Sequence, residues 1–200
     1  LKTIDCNTKF AMRQINMTGA DFSQASPILK KVNISELIEE YLDEWQLAGY
    51  KSFGTLESQS IPSDTKVKVD VDMFKSMMDC ILINAHQHGF NRRYSADNTV
   101  KITTGGARID NKLYVKIEIA NNGNLFPDGM TLKDYITRGV AGINSSQDGA
   151  GGDHVFQIIH HFDGKMTIEQ TSKWFSVILF IPVYLTSEDS NFYECDYEYV

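Results

Sequence analysis

The chain has 200 residues, 42% of them hydrophobic and 22% charged, so it is long enough for a full core and too apolar for wholesale disorder. A net charge of −7 with no basic stripe argues against nucleic acid as the main partner. Cys6, Cys80 and Cys195 are odd in number and widely spaced, which is neither a disulfide framework nor a CxxC metal site and fits a reducing interior. Residues 1–25 open LKTID without Met. They carry a loosely helical set (Ile4, Phe10, Met12, Ile15, Phe22) and close on polar SQASP. They read as the tail of a helix from a preceding module, so the chain is expected to be a piece of a longer protein, where any membrane anchor would lie.

Residues 33–48 predict a helix: Ile34, Leu37, Ile38, Tyr41, Leu42 and Trp45 form one apolar stripe, and Asn33 with Glu36 has capping-box spacing. A loop rich in Gly and Ser follows over 49–65. In KVKVDVD, Val67, Val69 and Val71 alternate with Lys66, Lys68 and Asp70, the pattern of a half-buried strand. From 72 to 89 the period is helical again, with Phe74, Met77, Met78, Ile81, Leu82 and Ala85 on one face.

Strands are predicted at about 99–104 and 112–120; in the second, Leu113, Val115, Ile117 and Ile119 oppose Lys116 and Glu118. The stretch 121–152 holds seven glycines and a short helix near 131–137, and irregular stretches of that length are usually functional or mobile. Val155, Ile158, Ile159 and Phe162 predict a helix from Asp153 to Phe162. GKMTIEQTS and WFSVILFIPV then form a closing hairpin whose last strand is apolar on both faces and therefore central. The apolar run 174–185 is too short to span a bilayer. The tail 186–200 carries Glu188, Asp189, Glu194, Asp196 and Glu198 with no basic residue, and reads as solvated. Helices interleaved with strand pairs predict an α+β fold: a two-layer α/β sandwich with a mixed, mostly antiparallel sheet and its helices packed on one face.

Three patches carry candidate chemistry. On the 72–89 helix, Cys80, Asn84 and His88 are spaced by four and share one line beside the apolar stripe. The strand 112–120 runs into NNGNLFPDG, polar residues and a glycine at a strand end. GAGGDH places Gly149, Gly151 and Gly152 at a helix entrance, where unpaired N–H groups attract anions. Taken alone, the last is equally a surface loop leading into an ordinary helix.

The order of these patches resembles the GHKL (Bergerat-fold) ATPases, and among them the catalytic, ATP-binding domain of sensor histidine kinases. The resemblance covers roughly residues 30–184: KKVNISELIEEYL, VDMFKSMMDCILINAHQHG like the asparagine box, IEIANNGNLFPDG like the first glycine box, GAGGDHVFQIIHHFDGKMTI like the second, and WFSVILFIP. IDCNTKFAMRQIN resembles the end of a dimerisation-domain helix. This implies three parts: 1–25 as helix end and linker, 26–185 as the ATP-binding domain and 186–200 as an acidic tail. It implies ATP and Mg²⁺ as ligands, with Asn84 on the metal and His88 near the phosphates. Asn121 and Gly123 would lie at the adenine, and Gly149, Gly151, Gly152, Asp153 and His154 around the phosphates, with 124–148 as a lid.

The resemblance further implies a homodimeric, cytoplasmic kinase within a membrane-associated sensor, whose partners are its own phosphoacceptor helices and a response regulator. None of His86, His88, His154, His160 or His161 is followed by an acid, so the acceptor histidine is expected upstream. The chain departs from the pattern at four places. Cys80 stands where relatives have Asn or Glu, with Asp79 rotated about 100° away. Gln87 replaces the usual lysine, with Arg92, Arg93 or Arg138 as possible substitutes; Asn121 replaces an acid; and Leu125 replaces a glycine. A degenerate, non-catalytic module and a water-hydrolysing GHKL ATPase are the rival readings. The latter needs a glutamate base where Cys80 stands.

Overall fold

The structure, a computed structural model, describes residues 26–47, 55–58, 61–91, 97–137, 150–185 and 198–199. The predicted N-terminal helix end at 1–25 lies outside these residues, as does most of the acidic tail. β1 (Lys30–Asn33) leads directly into α1 (Ile34–Leu47). Asn33 caps that helix: its Oδ1 accepts from Ser35 N at 3.0 Å and Glu36 N at 3.3 Å, and its Nδ2 donates to Glu36 Oε1 at 3.3 Å. β2 (Thr55–Ser58) lies within the stretch predicted as loop. β3 (Lys66–Val69) ends before the alternation does, because Asp70 caps α2 (Val71–Asn84) by accepting from Asp72 N and Met73 N, both at 3.1 Å. Val71 therefore belongs to the helix and not to the strand.

The helix predicted to run through 89 changes pitch after Asn84. Ala85–Gly89 form a π-helical turn, closed by Phe90 N–H donating to Ala85 C=O at 2.9 Å. Such turns are frequent at functional sites. β4 (Val100–Ile109) and β5 (Lys112–Asn121) make a long antiparallel pair, followed by α3 (Leu132–Ile136), α4 (Ala150–His161), β6 (Lys165–Gln170) and β7 (Phe175–Pro182).

The main sheet has the order β2-β4-β5-β7-β6, with β2 parallel to β4 and the other neighbours in that order antiparallel. β7 lies between β5 and β6, as its two apolar faces predict. β1 and β3 form a separate antiparallel pair, joined to the end of β7 by a Val67–Val183 bridge. In the tail, Glu198–Tyr199 pair in parallel with Ala107 and Arg108 of β4 instead of standing off in solvent. One core fills the space between helices and sheet. Ile34, Ile38, Phe74, Met77, Ile158 and Ile159 meet Val115, Ile117, Val177 and Leu179 there. The fold is thus the predicted α+β sandwich, a mixed and mostly antiparallel sheet with its helices on one face. Among the described residues no helix is long and apolar enough to cross a membrane.

Candidate functional site

α2 is amphipathic in two senses, and its polar groups divide accordingly. Asp79 is fully buried on the side facing α1, where its Oδ1 accepts from Tyr41 Oη and Trp45 Nε1, each at 2.8 Å. It therefore does not substitute for Cys80 in a cleft. Cys80 is itself buried, and burial, reinforced by the Asp79 charge, pushes its thiol up to about 12. A neutral, buried thiol is neither a base nor a ligand. Asn84, the last residue of α2, is half-buried.

The structure brings the three sequence patches together, and α2 with its π-turn is the hinge of that arrangement. At Asn84 the helix meets the first turn of α4. A Cβ added to Gly151 would lie 2.6 Å from Asn84 Nδ2 and 3.0 Å from Oδ1, so the amide occupies the space that the glycine leaves. At Gly89 the π-turn meets the loop after β5. A Cβ on Gly123 would lie 2.5 Å from the Gly89 carbonyl, and one on Gly89 would lie 2.8 Å from Asn121 Oδ1. Only glycine fits at Gly123, which abuts backbone, while a Cβ at Gly89 would have to displace the Asn121 amide from its turn. The contact is sewn by Asn124, whose N–H donates to Gly89 O at 2.7 Å and whose Nδ2 donates to His88 O at 3.1 Å.

Asn121 closes β5 and is 8% exposed. Its Oδ1 accepts from Gly123 N at 3.1 Å, an Asx turn, and its Nδ2 donates to Phe175 O at 3.4 Å. One lone pair of Oδ1 remains beyond that turn. Asn122 ties the same loop to the start of β4, accepting from Thr99 N and donating to Asp97 O, both at 2.7 Å. Gln170 of β6 grips Phe126 at both backbone atoms, at 2.9 and 3.0 Å. The strand-end loop is consequently held from three directions.

α4 begins at Ala150, three residues earlier than predicted, so Gly151 and Gly152 lie inside its first turn and not ahead of it. Both are there for close packing: Gly151 against Asn84, and Gly152 against the Tyr135 carbonyl, which a Cβ would overlap. First-turn N–H groups have no partner within a helix and favour anions. Asp153 turns its carboxylate along the helix to accept from Gln157 Nε2 at 3.0 Å, and His154 is 5% exposed. In a helix that begins at Ala150 the open N–H groups are those of residues 150–152, ahead of these two. His88 is half-buried in the π-turn. Gly149, Arg92, Arg93 and Arg138 lie outside the described residues, as does the part of the expected 124–148 lid from 138 onward.

Sequence reasoning missed Gly89 and Tyr135. Gly89 ends a helix and reads as an ordinary stop signal; its partner Gly123 is distant in sequence. Tyr135, on α3, is buried with its ring 5.7 Å from Phe175 and 6.0 Å from Phe126. Burial pushes its phenol up to about 12, a hydrogen bond with the Asn84 side chain opposes that rise, and Cys80 adds slightly to it.

No family model and no curated protein sequence matches the chain. Solved structures do match. The nucleotide-free catalytic domain of histidine kinase ThkA is 20% identical, with 77% of this chain and 97% of that chain covered and a TM-score of 0.59. ThkA in complex with response regulator TrrA gives 18% identity, 78% and 42% coverage and a TM-score of 0.55. The ATP-binding domain of PrrB from Mycobacterium tuberculosis gives 18% identity, 79% and 99% coverage and a TM-score of 0.56. Full-length ShkA in complex with AMPPNP gives 16% identity, 92% and 36% coverage and a TM-score of 0.60. The likeness establishes the fold: the chain has the Bergerat architecture of histidine kinase catalytic domains.

Proposed function

We propose that this domain binds Mg·ATP and presents it for phosphorylation of a histidine on an upstream dimerisation helix, in a two-component signalling protein. The observation that carries this reading is the convergence on one helix end. Asn84 packs against the first turn of α4, and a few residues on Gly89 packs against the Asn121–Gly123 turn. A nucleotide needs two kinds of group at such spacing: an acceptor for its base and anion-attracting N–H groups with a metal ligand for its phosphates.

The donor set fits. Asn121 Oδ1 has a lone pair beyond its Asx turn for an adenine amino group. The first turn of α4 supplies N–H groups for phosphate oxygens. Asn84 supplies a neutral amide oxygen, which suits Mg²⁺, a hard cation that keeps most of its waters. When bound, the metal neutralises phosphate charge. The chain's own residues orient the nucleotide and exclude water, and catalysis of this kind is mostly positioning and electrostatics. The acceptor imidazole would bring its own lone pair to the γ-phosphorus, forming a P–N bond as the bond to ADP breaks. The likeness to a kinase solved with a response regulator and to one solved with AMPPNP supports a receiver-domain partner and nucleotide binding. The same reading makes the full-length protein a homodimer, cytoplasmic in this part and anchored through other regions.

The test is phosphotransfer from radiolabelled ATP, using a protein extended upstream to include the acceptor helix. Slow labelling of a histidine is expected, because Gln87 stands where a lysine is usual. Nucleotide binding without labelling above an Asn84→Ala background would replace this reading with the non-catalytic one.

A further inference from the structure

The sheet carries a second apolar patch, on the face turned away from the helices. Residues opposite one another in register share a face, and neighbours along a strand alternate. Val115 pairs with Ile181 and Ile117 with Leu179, and all four belong to the core under the helices. Tyr114, Ile178 and Phe180 alternate with them and point outward, together with Ala107, the partner of Tyr114 on β4. Ala107, Tyr114, Ile178 and Phe180 form a cluster of their own, at 0%, 4%, 1% and 5% exposure. Among the described residues, Ile109 is the further apolar side chain packed against it, and no helix contributes one. Large side chains on an open sheet face do not reach such burial by shielding one another; a segment of chain must lie across them.

The strand pairing indicates which segment. β7 leaves the sheet at Pro182, opposite Tyr114, with Val183 N–H still donating to Leu113 O at 2.9 Å. The chain is back in the sheet at β8 (Glu198–Tyr199), where Glu198 stands opposite Ala107. Pro182, Tyr114, Ala107 and Glu198 therefore make one row. β8 is parallel to β4, and β4 is parallel to β7 because β5 is antiparallel to both. Parallel strands need a crossover connection. Beyond Tyr184 the chain must turn back and enter β8 from the side of the row on which Phe180 and Ile178 lie. The edge of β4 on that side is taken by β2 up to Thr104, and the inner face is filled by α1, α2 and α4. What is left is the outer face. The row spans three strand spacings, about 14 Å, whereas about 15 residues reach roughly 50 Å when extended, so there is chain enough to arch over it.

Charge agrees with this path. Phe180 stands in register between Lys116 and Lys165, and Lys165 Nζ lies 5.7 Å from the Tyr114 ring centre. Each of these lysines also meets one carboxylate, Glu118 for Lys116 and Asp110 for Lys165. Tyr184, where the segment departs, has Lys31 and Lys68 at 4.6 and 4.8 Å from its ring. Residues 186–197 bring Glu188, Asp189, Glu194 and Asp196 with no basic residue, and the aromatic Phe192, Tyr193 and Tyr197.

We propose that the outer face of the sheet is a docking surface for the chain's own C-terminal segment, residues 186–197, with β8 pinning its far end. Its aromatic side chains cover Tyr114, Ile178 and Phe180, and its carboxylates meet the flanking lysines. The acidic tail is then an intramolecular cover and not a solvated appendage. This inference is independent of the nucleotide-binding reading.

Amide exchange in the intact 200-residue chain, compared with a free peptide of residues 186–200, reads the cover directly. Exchange over 186–197 at least about tenfold slower than in the peptide is expected, and equal rates overturn the proposal. Nuclear Overhauser contacts of the Ile178 methyl groups and the Phe180 ring identify the occupant. Contacts to Phe192, Tyr193 or Tyr197 of the same molecule are expected; contacts to residues 1–25 alone, or to a second copy in an isotope-mixed sample, overturn it. A chain ending at Leu185 should bind a hydrophobic dye that the 200-residue chain does not, and the 186–200 peptide should displace that dye. Dye binding unchanged by the truncation overturns the proposal, and if the truncated chain does not fold, the two measurements on the intact chain decide.

Discussion

Asn121→Leu separates the two tasks assigned to one side chain. Leucine has the branching of asparagine but larger ends, so the turn beside Gly89 must open slightly to take it, which adds to the loss of stability. It removes the acceptor for Gly123 N–H at 3.1 Å and the donor to Phe175 O at 3.4 Å. The second bond is long and weak, so its loss costs little. The first leaves a half-buried donor without a partner, at about 1–3 kcal/mol. For a chain of this size each kcal/mol lowers Tm by roughly 2–4 °C, so a fall of several degrees is expected. If the same oxygen also accepts from adenine, ADP affinity falls by about a further 1–3 kcal/mol, roughly fivefold to 150-fold. Thermal denaturation without ligand measures the first effect, and calorimetric titration well below Tm measures the second. Lower Tm with unchanged ADP affinity would refute the adenine assignment, leaving Asn121 as the residue that shapes the turn. Asn121→Asp supplies the converse: it keeps an acceptor for Gly123 N–H, and its charge strengthens a bond from an adenine amino group, so ADP affinity should rise.

Asn84→Ala should leave the unliganded fold intact, since it empties no apolar position, and should remove the Mg²⁺-dependent part of ATP affinity; an unchanged Mg²⁺ dependence counts against the ligand role. Amide exchange over 124–148 should slow on adding Mg·ATP if this stretch is a lid, and equal rates with and without nucleotide would end that reading. The third expectation concerns the clamp between α1 and α2, where Lys75 Nζ lies 2.8 Å from Glu40 and 2.9 Å from Glu44. Burial pulls the Lys75 pKa down, but the two carboxylates more than reverse this, and the net direction is upward from 10.5. A raised lysine contributes stability that is fully present below 10.5 and is lost as pH rises through the folded value. Lys75→Met should therefore lower Tm at pH 7, and its difference from the unmutated chain should shrink in alkaline solution; a gap that is constant up to pH about 12 would show that the contribution is packing alone.

What was legible in the sequence was what periodicity carries. The stripe from Ile34 to Trp45, the face from Phe74 to Ala85 and the doubly apolar β7 are each a local pattern set by which side must be buried. β1 and β2 escaped because four residues of KKVN or TLES hold too few alternations to register, and β2 is a strand through its parallel pairing with β4. Gly105 and Gly106 read as breakers, yet β4 continues through them because Lys116 and Val115 of β5 pair with them. Asp70 looked like the polar phase of a strand and is a helix cap, a choice made by the segment after it. At the site, Asn84, Asn121 and the glycines were visible through the order of the three motifs. The Gly89–Gly123 crossing and the Gly152–Tyr135 approach are tertiary contacts between distant residues, and no local pattern announces them.

The same contacts weigh on which chemistry the cleft supports. A water-hydrolysing ATPase needs a general base within hydrogen-bond reach of the attacking water. The acid nearest the right place in sequence, Asp79, is committed to the opposite face of α2, where Tyr41 and Trp45 both donate to it. A swing into the cleft would break both of these bonds from buried donors, at about 1 kcal/mol or more apiece. Cys80, on the correct face, is held as a neutral thiol at about 12. Neither residue activates water at neutral pH. A nucleophile that arrives with its own lone pair needs no such base, and the side chain that offers one near pH 7 is a neutral imidazole. The proposed transfer to a histidine is in keeping with this arrangement, since of the two residues at that place Asp79 is anchored to α1 and Cys80 is a neutral thiol.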